Sequence, residues 1–264
     1  MKRKLLPKVS VVVPTYNSSD TIIACINSIL LQDYEGEIEV IIIDDGSIDS
    51  TSNLIKSNFG DVSNVKYFYK ANGGVSSARN FGIKLCDCDF IAFCDSDDSW
   101  ESHKLKSQIS LMIDNSIDFL GSVLQVKGTF YLKKVTLTMM LFKNYFQPST
   151  VIFKHSIISS AGYFDESQRY AEEGNYFYKI LHGGFNCFLL NEKLTSYGDG
   201  KLGFGVSGLS ANLYQMQLGE LKNLKFAYKK LNVSLFLYLI AVTFSVIKFC
   251  RRILIVKFKK LCHI

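Results

Sequence analysis

The apolar residues of the first hundred positions fall into short runs separated by segments of helical period. Residues 9–13 form a valine-rich run with no turn residue inside it, and 40–43, 65–69 and 90–94 are three more. Continuous runs of this length predict strands buried on both faces. Between the first two, Ile22, Ile23, Ile26, Ile29 and Leu30 recur on one helical face, through about Gln32. Residues 51–57, and the stretch from Asn72-Gly73-Gly74 to Leu85, predict two further helices, and Ser18, Ser19 and Asp20 offer caps to the first. Strands alternating with helices imply right-handed crossovers. The expected fold is α/β, a mixed, mostly parallel central sheet flanked by helices.

Beyond Trp100 the pattern weakens. Residues 104–113 read as a helix, 119–126 and 129–132 as strands, and 148–153 as a turn leading into a strand. Residues 155–160 read as a short helix, 172–181 as a longer one ended by Gly183-Gly184, and 185–190 as a strand. The Gly- and Ser-rich segment 197–210 reads as a mobile loop that closes over a ligand or merely links.

Four polar clusters follow the predicted strands: Pro14-Thr15-Tyr16-Asn17, Asp44-Asp45-Gly46-Ser47, the segment from Asn72 to Arg79, and Asp95-Ser96-Asp97-Asp98. In parallel sheets ligands bind beyond the carboxyl ends of the strands, so all four are expected on one rim. Asp95, Asp97 and Asp98 repel one another unless solvated or bridged by a cation, and oxygen ligands suit Mg²⁺ or Mn²⁺. An Asp after the second strand can accept hydrogen bonds from a base or ribose, and Arg79 can meet a base or phosphate. These clusters match a nucleotide-sugar site. A dinucleotide oxidoreductase is excluded, because Pro14-Thr15-Tyr16-Asn17 stands where a Gly-x-Gly-x-x-Gly turn would be.

Composition adds a tail and removes some classes. The chain has 264 residues, 48% of them hydrophobic, ample for a core. Its seven cysteines show no metal-site spacing, and Cys86-Asp87-Cys88 lacks a second pair. They are expected to be reduced and buried. The basic start, Met1-Lys2-Arg3-Lys4, runs into Pro7 and Lys8 and is not expected to be a signal peptide. The net charge of +6 hides an asymmetry: from Glu220 onward ten Lys and Arg face a single acid. Within that tail residues 231–247 are almost wholly apolar, which favours lipid over nucleic acid as partner. Positive charge on both sides of this run argues against one oriented span and for two helices lying in the headgroup layer. The expected division is a catalytic domain over residues 1–215 and a membrane-associating helical tail over 216–264.

The four clusters, in their order and spacing, resemble the family-2 inverting glycosyltransferases. The resemblance implies a GT-A fold, a nucleotide-diphosphate-sugar donor, usually UDP-linked, and Mn²⁺ or Mg²⁺. By position it implies Pro14 and Tyr16 in the base pocket, Asp45 on uracil, Arg79 on the nucleotide, and Asp95 with Ser96 near the ribose. It makes Asp97 the principal metal ligand with Asp98 close by. The family's Glu-Asp pair opening a later helix is here Glu172-Glu173; Glu173 is the expected base, with a Glu replacing the usual Asp, and Glu172 is the alternative. Lys201, in the glycine-rich segment, is expected near the phosphates. That segment is similar to transferases building bacterial O-antigen or capsule repeats. It implies a glycan acceptor carried on a polyprenyl diphosphate, at the cytoplasmic face of the cell membrane. The competing reading is a catalytically inactive nucleotide-sugar-binding membrane partner.

Overall fold

The computed structural model describes residues 6–129, 131–198 and 209–261. The predicted β/α alternation forms as β1 (Val9–Thr15), α1 (Ile22–Leu30), β2 (Ile38–Asp44), α2 (Thr51–Phe59), β3 (Val65–Tyr69), α3 (Val75–Leu85) and β4 (Phe90–Phe93). Then come β5 (Asp98–Trp100), α4 (Lys104–Asp114), β6 (Phe119–Val123), β7 (Leu132–Lys134), α5 (Leu137–Phe142), β8 (Ile152–Lys154) and α6 (Ile158–Ala161). The chain continues through α7 (Glu172–His182), β9 (Cys187–Lys193), β10 (Thr195–Tyr197), α8 (Leu213–Lys230) and α9 (Leu235–Leu261). Eight strands make one sheet in the order β3-β2-β1-β4-β8-β6-β9-β7, and β5 and β10 form a small antiparallel ribbon. Strands β1–β4 are parallel where they pair, whereas β8 runs antiparallel to both β4 and β6. The sheet is mixed and mostly parallel, as the runs imply.

The pleat sorts the core. Val9, Val11 and Val13 of β1 pack with Ile22, Cys25, Ile26 and Ile29 of α1 on one face. Val12 faces the other side, against Ala78 and Ile83 of α3. There Gly82 lets α3 close onto β1, because a Cβ at that position would overlap the Val12 side chain.

Several boundaries differ from expectation, among them the strand read at 129–132, which forms as β7 at Leu132–Lys134. The strands read at 119–126 and 185–190 form as β6 and β9, where β6 loses register beyond Ser122. Ladder partners, not local apolarity, set such ends. The tail forms two helices, α8 and α9, but the apolar run 231–247 is not one element: residues 231–234 make the turn between the helices and the rest opens the 27-residue α9. No described helix is long and apolar enough to cross a membrane. The expected division at residue 215 falls inside α8, and α8 packs on the sheet-bearing part. Its Leu224 and Ala227 join the core cluster of Tyr176 and Phe177, and Gly219 abuts the Tyr170 carbonyl. The buried stripe of α8 includes Gln217, Gly219 and Asn223, too polar and small to register as an apolar face.

Candidate functional site

The four rim clusters converge. Beyond the carboxyl ends of β1 and β4 lies a cleft of about 680 Å³ whose wall includes Pro14, Tyr16, Arg79, Asp95, Ser96, Asp97 and Glu172. A second lobe of about 470 Å³ shares Tyr16 and Val75 with it and adds Asp45, Gly73 and Gly74. Tyr16 is half exposed at the junction, offering an aromatic face.

The turn after β1 is pinned from below. Asn17 sits at φ 48° and its side chain accepts from the Ile48 N–H, while its own N–H donates to Ser47 Oγ. Asp45 is a brace. Its carboxylate accepts from the Gly73 and Gly74 N–H groups at 2.9 and 2.7 Å and pairs with Lys70 Nζ at 2.6 Å. That ties the end of β2 to the start of α3. Ser96 shares a hydrogen bond with Ser18 Oγ at 2.7 Å.

Arg79 is the centre of the charge pattern. It is 3% exposed on α3, and it donates to Asp95 Oδ1 at 2.8 Å and to Glu172 Oε1 at 3.0 Å. Its Nε has no partner among the described residues, and its guanidinium lies against the Phe93 and Phe164 rings. One cation thus joins the acid end of β4 to the first turn of α7.

The two glutamates of that turn diverge. Glu172 is buried in the cleft wall on Arg79; desolvation lifts its pKa against the opposing pull of Arg79. Glu173 turns away and lines a neighbouring hollow of about 210 Å³ between α5, α7, α8 and α9. Burial, reinforced by the Glu172 charge, pushes its carboxyl up to about 8. Asn144 Nδ2 donates to it at 3.4 Å.

The acid cluster also divides. Asp97 faces the cleft, whereas Asp98 lies beneath it on β5, 2% exposed, and both its carboxylate oxygens lack a hydrogen bond among the described residues. Desolvation, then Asp95 and Asp97, push Asp98 up to about 7. A hard divalent cation fits this donor chemistry, since it would offset the crowded negative charge. No group of three or more His, Cys, Asp or Glu among the described residues is arranged to hold a metal. Mg²⁺-type ions need none, taking one or two carboxylates and completing their shell from substrate phosphates.

Several supporting residues were not foreseen. Ser149 Oγ accepts the Asp95 N–H at 2.9 Å, and its carbonyl accepts from Trp100 Nε1. Tyr197 ends β10 beside β5, its hydroxyl raised by burial and then by Asp98 and Asp95. Asn223 of α8 donates to the Ala171 carbonyl at 2.7 Å and accepts from Gln168, holding Ala171 at φ 53° just before the two glutamates. The sequence signals are slight: a Pro-Ser-Thr turn for Ser149, a polar residue in a helical stripe for Asn223. Lys201 lies outside the described residues.

The model of the family described as glycosyl transferase family 2 matches residues 10–193. The UDP-Glc:alpha-D-GlcNAc-diphosphoundecaprenol beta-1,3-glucosyltransferase WfgD of Escherichia coli is 41% identical over 113 residues, covering 42% of this chain and 44% of that protein. An uncharacterized glycosyltransferase, RT0329, of Rickettsia typhi is 31% identical over 191 residues, 66% of this chain and 59% of that one. The chain thus spans less than two thirds of either relative's length. Among solved structures, S. aureus TarS 1-349 in complex with UDP-GlcNAc aligns with a TM-score of 0.70 at 22% identity, over 84% of this chain and 67% of that one. The mannosyltransferase PcManGT from Pyrobaculum calidifontis, in complex with GDP-Man and Mn²⁺, aligns with a TM-score of 0.70 at 17% identity, over 92% and 74%. Both show the same GT-A fold.

Proposed function

Because the chain belongs to glycosyl transferase family 2, we propose that it moves a sugar from a nucleotide-diphosphate donor, UDP-linked, to a hydroxyl of a glycan acceptor, inverting the anomeric centre. The observation that carries this reading is the divergence of the two glutamates. Glu172 is committed to Arg79 in the cleft wall, while Glu173, next to it on α7, lines a separate hollow that would receive the acceptor. A single in-line displacement needs a base on the acceptor's side of the donor, and Glu173 adjoins the donor cleft only through its neighbour Glu172 on the same turn.

In this mechanism the cleft binds the donor, with Tyr16 against the base and the Asp95–Arg79 pair fixing the floor. Asp97, with Asp98 beneath it, would hold Mn²⁺ or Mg²⁺. Such an ion supplies Lewis-acid stabilisation of the departing diphosphate. Glu173 takes the proton of the acceptor hydroxyl as the oxygen attacks the anomeric carbon. Its elevated pKa makes it a stronger base than a solvated carboxylate.

The acceptor is proposed to be lipid-linked, like the diphosphoundecaprenol named in the WfgD relative. Exposed apolar residues of α9, Phe236 at 76% and Ile247 at 61% among them, support seating on a bilayer surface at the cytoplasmic face of the cell membrane. Lys225, Lys229 and Lys230 precede this face and Arg251 follows it, all exposed and suiting anionic headgroups.

The test is UDP release from UDP-sugars with and without glycan acceptors, in wild type and Glu173→Gln. Acceptor-dependent release should fall at least about 100-fold in the variant, in line with loss of a general base, with UDP affinity retained. Unchanged turnover removes Glu173 from the role. Donor binding with no release for any acceptor favours the inactive binding partner instead.

A further inference from the structure

The hollow beside Glu173 continues into a groove of about 470 Å³, with Lys143, Asn144 and Gln147 common to both walls. The described lining of that groove includes Lys127, Lys133 and Lys143 and no carboxylate. Lys133 and Lys143 both lie over the ring of Tyr145, at 5.3 and 5.0 Å from its centroid. On the other side Lys248 of α9 donates to the Phe142 carbonyl at 3.0 Å and lies over the Phe244 ring. Phe142 and Phe244 meet edge to face at 5.7 Å, so cations and the apolar face of α9 adjoin. Phe244 is 43% exposed there.

Three chemistries therefore meet at this hollow: the Glu173 carboxylate in its wall, the lysines of the groove that joins it at Lys143, and the exposed apolar face of α9 beside Lys248. From this juxtaposition, with Lys143 at the junction and Phe142 beside it against Phe244, we infer that the groove and hollow are the acceptor site, in which Lys133 and Lys143 bind the diphosphate of a lipid-linked glycan. Its terminal sugar reaches Glu173 and its hydrocarbon leaves along Phe244 of α9. This assignment rests on the transferase reading above and adds the residues that choose the acceptor. Lysine suits the task, since a diphosphate between a flexible sugar and a flexible lipid asks for charge more than for fixed geometry. It also gives α9 a second use: Lys248 and Ser245 wall the hollow that holds Glu173.

The test uses farnesyl diphosphate as probe, titrated into the full chain already saturated with UDP and Mn²⁺ so that the donor cleft is occupied. Farnesyl diphosphate should bind, farnesol should bind at least ten-fold more weakly, and the Lys133→Ala/Lys143→Ala double variant should lose at least ten-fold in affinity for the diphosphate. Competition between the probe and UDP would overturn the proposal, because the diphosphate would then be using the donor cleft. So would equal affinity for farnesol, no loss in the double variant, or equal affinity for inorganic pyrophosphate, which would mark a free-anion site. UDP titration of the same variant reads the donor cleft separately, so failure of the transferase reading appears as lost UDP binding instead.

Discussion

Arg79→Met asks how much of the site one buried cation holds together. Methionine fills similar space between Phe93 and Phe164 but leaves two carboxylates without their partner. Asp95 is 30% exposed at its side chain and recovers part of its solvation; Glu172, at 7%, does not. Breaking a buried pair from one side costs about 3–5 kcal/mol, and nearly all of it here falls on Glu172. For a chain of this size each kcal/mol lowers the melting temperature by roughly 2–4 °C, so the variant should melt roughly 6–20 °C lower. The deficit has a sign in pH. Without Arg79 the folded-state pKa of Glu172 rises further above its unfolded value, so the folded protein binds the extra proton and the penalty is relieved in acid. The deficit should be small near pH 5 and grow toward pH 8. Thermal melts of wild type, Arg79→Met and Arg79→Met/Glu172→Gln across that range make the assay. The double variant should recover most of the loss at pH 8, because the group left unpaired is then neutral. A pH-independent deficit, or no recovery on adding Glu172→Gln, would refute the assignment of Arg79 as counter-ion to Glu172.

Other consequences are as direct. With Glu173 held near 8 in the free protein, kcat/KM for transfer should rise with pH through about 8 and level off above it; a flat profile from pH 6 to 9 would count against Glu173 as base. Asn223→Ala removes the donor to the Ala171 carbonyl; the orphaned groups should cost about 1–3 kcal/mol, and transfer should fall while UDP affinity, read by titration, holds. Lys104 is fully buried on α4, bonded to Gln108 at 2.6 Å over the Trp100 ring, and burial depresses it from 10.5 to about 7. The unfolded chain therefore binds the extra proton between those values. Denaturation midpoints should climb with pH across that window, by at most about 1.4 kcal/mol per pH unit, and Lys104→Met should be more stable and lose that slope.

The first hundred residues were legible because their physics is local. A strand buried on both faces must be apolar throughout, and the residue that ends it at a binding rim must be polar, so residues 9–13 and 90–94 announced both fold and cleft. Later strands such as β7 and β8 are three residues long and hold their places only through partners. Nothing in their own apolarity could set their ends. The α8 stripe was hidden for a related reason: Gln217 and Asn223 are buried because they bond Ser245 and Ala171, and a polar residue with distant partners looks in sequence like a solvent-facing one.

Sequence alone determined the parallel core, the convergence of Pro14, Asp45, Arg79 and Asp97 on one rim, and the basic, apolar character of the tail. It could not separate Glu172 from Glu173, because neighbours on a helix differ by about 100° in direction and only the packing of α7 says what lies in each. Tertiary structure gave Glu172 to Arg79 and Glu173 to the hollow, sank Asp98 below Asp97, and turned α8 from the start of a tail into the buttress of the turn that carries the two glutamates. Each of those outcomes depends on contacts between residues dozens of positions apart, and such contacts exist only once the chain has closed on itself.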